Sequence, residues 1–72
     1  MAGEKQIYIL NNYSEKLKKL RGNISQEKIS KALGISQSLY AMFETGARRP
    51  SDEMKIRMAA YYNKGIEELF YK

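Results

Sequence analysis

The sequence has no cysteine and no histidine. Without cysteine, no disulfide and no thiolate zinc site can staple the chain. Without histidine, it lacks the commonest metal ligand and a ready general base. Only carboxylates remain as catalysts, and the nearest pairs, Asp52-Glu53 and Glu67-Glu68, are sequence neighbours that diverge around a helix. Capping and solvation account for both pairs, so no enzyme, metal site or cofactor is expected. No apolar run approaches the ~20 residues of a membrane span. The amino terminus also lacks the charged start and long apolar core of a signal peptide. A soluble, cytoplasmic protein is the expectation.

What is present fits 72 residues, enough for one domain with one small core. Stability must come from helix packing or from a second copy of the chain. Thirteen Lys and Arg face eight Asp and Glu, a net charge of +5. Alone, that excess serves solubility. Beside a suitable helix pair it points to a polyanion partner.

Such a pair lies between Gln26 and Gly46, QEKISKALGISQSLYAMFETG. Ile29, Ala32 and Leu33 form one apolar stripe at helical spacing, and Leu39 or Tyr40 with Phe43 form another. Gly34 can adopt a positive φ and let the chain leave the first helix sharply. Ser30 keeps the crossing point small. Ser25 and Ser36 are good N-caps, each preceded by isoleucine, with Ile24–Ile29 and Ile35–Tyr40 at hydrophobic-staple spacing. Two helices around a tight turn present the second to the DNA major groove.

The rest of the chain reads as further short helices. In residues 1–11 the run Ile7–Leu10 suits a short strand, yet Ile7, Leu10, Tyr13 or Ser14, Leu17 and Leu20 also fit one helical face. This extension packs on its own domain or serves a dimer contact; with only Lys5 as a cation, it is a poor DNA arm. Asn12 to Arg21 reads as the first helix of a single domain spanning 12–72, with Asn12 and Glu15 as a capping box. Lys16, Lys18, Lys19 and Arg21 crowd its carboxyl end, where positive charge suits the dipole. Lys16 and Lys18 read as a solvated face. After Gly46, Ala47-Arg48-Arg49-Pro50 is a short basic loop. Ser51 caps the next helix, with Asp52 and Glu53 in its first turn and Met54, Met58, Ala59 and Tyr61 or Tyr62 toward the core. Asn63-Lys64-Gly65 breaks it, and Ile66 to Phe70 adds a last turn or two. The fold class is all-α.

Taken together, SQEKISKALGISQSLYAMFETGARRPSDEMKIRMA, extended through KLKKLRGNIS and AYYNKGIEELF, resembles the Cro/repressor-type helix-turn-helix proteins of phages and mobile elements, the XRE family. The likeness spans about residues 13 to 70. LRG before SQ, Glu44 and Gly46 at the end of the second motif helix, and the run RRPSDEMK carry it most specifically. It implies a five-helix, lambda-repressor-like fold with helices two and three as the DNA-binding pair. The connection Gly22-Asn23-Ile24 is shorter than in many members.

Position by position, the resemblance implies roles for individual residues. Gln26 resembles the glutamine that bonds a backbone phosphate and braces the recognition helix. Ser36, Gln37, Ser38 and Met42 fall where the family touches DNA. A glutamine at the first position of that helix suits the N6 and N7 edges of adenine. Met42 offers apolar contact to a thymine methyl or covers the helix, and Leu39 is open between groove contact and partial burial. Tyr40 and Phe43 align with core positions. Apart from the resemblance, the placement of basic residues flanking the helix makes Arg48, Arg49 and Lys28 or Lys31 the expected phosphate ligands. Arg21 and Glu44 resemble the family's structural arginine–glutamate pair.

The expected function is therefore sequence-specific binding of double-stranded DNA by a transcription regulator, a repressor. Helix 36–45 enters the major groove, and a homodimer sits on a palindromic operator. Ile66, Leu69, Phe70 and Tyr71 at the carboxyl end, or Ile7–Leu10, supply the apolar surface for pairing. The alternative is an antitoxin or another protein-interaction module with the same fold, supported by the apolar amino terminus. Longer family members carry a second domain for an effector or for self-cleavage, and none is expected here.

Overall fold

Serine and glycine set most of the helix ends in this molecule. The computed structural model describes residues 12–72; residues 1–11, with both readings of Ile7–Leu10, lie outside the described residues. Five helices follow: α1 (Tyr13–Arg21), α2 (Gln26–Leu33), α3 (Gln37–Thr45), α4 (Asp52–Tyr61) and α5 (Ile66–Phe70). No strand is present among the described residues, and the fold is all-α.

The hydroxyls of Ser25, Ser36 and Ser51 accept the main-chain N–H of Lys28, Leu39 and Met54, three equivalent N-caps. At the other ends, Gly34 (φ 76°) and Gly46 (φ 79°) occupy the left-handed region that closes a helix. Asn12 behaves differently. It stands at the start of α1 with ψ 63°, outside the extended region of the other caps, and its side chain caps nothing. Its Oδ1 accepts from the Ser14 hydroxyl instead, so the expected capping box does not form.

α1 packs against α3 and α5, α2 against α3 and α4, and α4 against α5. Leu17, Ile29, Tyr40, Met58 and Phe70 are fully enclosed at the centre. Ile29 and Leu33 of the expected α2 stripe are buried, and so is Ser30 at the crossing point as expected, whereas Ala32 is not. Ser30 lies on the side that the crossing helix covers, and its hydroxyl folds back to the Glu27 carbonyl, which satisfies it without added bulk. Ala32 is exposed. Ile24 is exposed as well, so its staple buries little, whereas Ile35 packs against the core. On α4 the choice falls on Tyr62, half-buried, while Tyr61 faces solvent.

At the carboxyl end, Leu69 and Phe70 belong to the chain's own core, and Ile66 is left outside. Two lysines hold this end in place. Lys16 is not simply solvated: its ammonium donates to the carbonyls of Glu68 (2.7 Å) and Lys72 (3.4 Å). Lys55, largely buried, donates to the Tyr71 hydroxyl at 2.6 Å, a bond that raises the lysine above its usual range.

Candidate nucleic-acid interface

The inner face of α3 carries Tyr40, Phe43 and Glu44, all buried. Burying a carboxylate is costly unless it is paired and hydrogen-bonded. Here both oxygens are occupied. Arg21 reaches across from α1 with two donors, Nε to Oε2 at 2.6 Å and Nη2 to Oε1 at 3.1 Å. Gln26, the first residue of α2, adds Nε2 to Oε1 at 2.9 Å. Burial pushes the Glu44 carboxyl up, but hydrogen bonds from Arg21, Gln26 and Tyr40 outweigh it and hold the group below its ordinary value. One charged residue thus ties α1, α2 and α3 together. Arg21 also donates Nη1 to the Ile24 carbonyl at 2.9 Å, which braces the short corner between α1 and α2. Behind the carboxylate, the Tyr40 and Tyr62 hydroxyls lie 3.2 Å apart, linking α3 to α4. Burial keeps Tyr40 a neutral phenol far above the usual tyrosine range.

The outer face of α3 is free. Gln37, Ser38 and Met42 are exposed, and Ser36 stands at its start. The Ser36 oxygen accepts the Leu39 N–H as a cap, which leaves its own O–H available as a donor. Leu39 is half-buried against the core. Lys28 and Lys31 are exposed on α2, the latter 3.6 Å from Glu27 in a surface pair of little strength. Arg48 and Arg49 are exposed in the loop after α3 and form no ion pair among the described residues.

That loop is held at two points. The Tyr13 hydroxyl donates to the Arg48 carbonyl at 2.9 Å, and Pro50 is buried. The bond from Tyr13 is invisible in sequence, because 35 residues separate the partners. The one available signal was an aromatic residue in the first turn of an otherwise lysine-rich helix.

The model of the family described as Helix-turn-helix matches residues 16–69, well over half of the chain. The chain belongs to the XRE-type helix-turn-helix family of DNA-binding proteins. A solved transcriptional regulator from Listeria innocua is similar to this helix-turn-helix protein, with 25% identity and a TM-score of 0.76. The match covers 85% of this chain and 58% of that one, so the helix-turn-helix protein spans less than two thirds of that regulator's length. No curated protein matches it.

Among the described residues, no group of acidic side chains could hold a metal ion, and no helix is long and apolar enough to cross a membrane. A cleft of about 210 Å³ between α1 and α5, lined by Lys16, Lys19, Leu20, Lys64, Glu68 and Leu69, shares no residue with α2 or α3.

Proposed function

We propose that the chain is a transcription regulator that binds double-stranded DNA sequence-specifically, with α3 in the major groove and residues 12–72 as the binding domain. One observation carries the reading: α3 has a locked inner face and a free outer face. Its buried carboxylate is neutralised by Arg21, so no negative charge from Glu44 opposes the phosphates. Gln37 reads a base edge through its amide, with Ser38 and Met42 beside it. Leu39 contributes at most its exposed part. Ser36, Gln26, Lys28, Lys31, Arg48 and Arg49 serve phosphates, which fix register without reading sequence. The exposure of these cations supports that division.

The active form is a dimer on a two-fold site, acting as a repressor by occupying its operator. A single α3 covers too few base pairs to select one site among genomic competitors. Two copies would place their half-sites about one helical turn, ~34 Å, apart. At the carboxyl end, Ile66 is exposed and supports a contact there, while Leu69 and Phe70 are taken by the core. The antitoxin reading drew on the apolar amino terminus, which lies outside the described residues, and no observation here favours it.

Selection of bound duplexes from a random pool, followed by footprinting, tests the proposal. It expects enrichment of a two-fold-symmetric sequence. A pool that stays random would overturn it. Sedimentation on that duplex expects two chains per site, and a one-to-one complex at saturating protein would sink the dimer.

A further inference from the structure

The exit of α2 sets the direction in which α3 enters the groove, and its polar groups can be followed one by one. The Gly34 N–H bonds the Lys31 carbonyl at 3.1 Å, and the Ile35 N–H bonds the Ser30 carbonyl at 2.9 Å. This is the paired pattern of a glycine-terminated helix. It leaves the carbonyl of Leu33, the last residue of α2, without a partner from the turn. A residue 24 positions away supplies one: Arg57 Nη1, reaching from α4, donates to the Leu33 oxygen at 3.1 Å. The same guanidinium places Nη2 2.8 Å from Glu53, one turn earlier on α4. A cation at a helix carboxyl end also suits the dipole. Only the residues Gly34 and Ile35 separate this carbonyl from Ser36, the cap of α3.

We infer that Arg57 is a positioning residue for the recognition helix. With Glu53 orienting its planar fork, Arg57 fixes the exit of α2 and so the angle at which α3 leaves the turn. The inference rests on the DNA-binding reading of α3. It gives Arg57 no contact with a base. Because the Arg57 side chain is about half exposed, the competing role is an ordinary phosphate ligand. The two roles have different signatures. A phosphate ligand strengthens all duplexes and adds to the salt slope, whereas a positioning residue strengthens only the preferred site.

Arg57→Met keeps the apolar stem and removes every donor. Arg57→Lys keeps the charge and one donor for the Leu33 carbonyl. Glu53→Gln leaves the arginine in place and weakens its orientation. Each is measured well below its melting temperature against the selected duplex and a random one, across salt. For Arg57→Met the selected site is expected to weaken by about 2- to 30-fold, the range by which residues away from a ligand modulate binding. Affinity for random DNA and the salt slope stay unchanged. Arg57→Lys recovers part of the loss, and Glu53→Gln shows a smaller loss of the same kind. Amide hydrogen exchange at Gly34 and Ile35 in the free protein is expected to accelerate in Arg57→Met. Equal losses on both duplexes, with a salt slope lower by ~1, would make Arg57 a phosphate ligand and overturn the inference. An unchanged ratio of the two affinities would overturn it too. If the parent itself does not distinguish the duplexes, the DNA reading fails, and unchanged exchange at Gly34 and Ile35 would separately remove Arg57's hold on the turn.

Discussion

The Tyr13 hydroxyl and the main-chain carbonyl of Arg48 share a 2.9 Å hydrogen bond, so the first turn of α1 anchors the basic loop after α3. Tyr13→Phe keeps the ring and its contact with Phe70, whose centroid lies 6.0 Å away. It removes only the donor. The expected cost is ~0.5–1.5 kcal/mol of stability, the net worth of an ordinary hydrogen bond. DNA affinity should weaken modestly on all sequences, because the loosened loop carries Arg48 and Arg49, the proposed phosphate ligands. Thermal melting and titration against a random duplex check both parts.

The Arg21–Glu44 pair should respond unequally to truncation from its two sides. The Arg21 side chain is 24% exposed and the Glu44 side chain 3%. Arg21→Ala strands a buried carboxylate with Gln26 as its remaining strong donor, which should cost ~3–5 kcal/mol. Glu44→Ala frees a guanidinium that reaches water and keeps its bond to Ile24, so its cost should be smaller though still evident in melting. Equal melting temperatures for the parent and both variants would contradict the pair's structural role.

Acid should unfold the protein partly through the same carboxyl. Burial raises Glu44, hydrogen bonds from Arg21, Gln26 and Tyr40 lower it further, and the folded value ends below the ordinary one. The unfolded chain therefore takes up this proton at a higher pH than the folded one. The stabilisation is complete above the ordinary glutamate value, ~4.3, and is lost as pH falls through the folded value. Melting temperature should drop with acidification in that window, and Glu44→Gln should flatten the drop. An identical acid slope in parent and variant would show that Glu44 contributes nothing to it.

The legible parts of the fold were those governed by neighbours in sequence. Ser25, Ser36 and Ser51, with Gly34 and Gly46, act through residues three or four positions away, and the helix ends follow from them. Spacing alone misjudged residues whose fate depends on the crossing helix. Ala32 fits the apolar stripe of α2 by spacing yet faces solvent, whereas Ser30, expected at the crossing point, is buried. Asn12 had the composition of a cap without its backbone angles. Contacts such as Arg57 to Leu33, Tyr13 to Arg48 and Lys55 to Tyr71 join residues 16 to 35 positions apart and left no pattern to read. Arg21 with Glu44 could be named only through family resemblance.

Charge and readout should separate in the basic loop. Arg49 is exposed, without an ion pair among the described residues, and sits next to the anchored carbonyl of Arg48. Arg49→Ala should weaken selected and random duplexes alike and lower the salt slope by ~1. Titrations at several salt concentrations check this. A loss confined to the selected duplex would instead make Arg49 a base reader.

Gln37, the proposed base reader, lies exposed at the first position of α3 behind the Ser36 cap. The most direct measurement is the affinity of Gln37→Ala for the selected duplex and for a random duplex at one salt concentration. A loss of ~1–3 kcal/mol is expected on the selected duplex, the worth of one bidentate contact, and none on the random one. Equal losses on both duplexes, or no loss on either, would contradict that role.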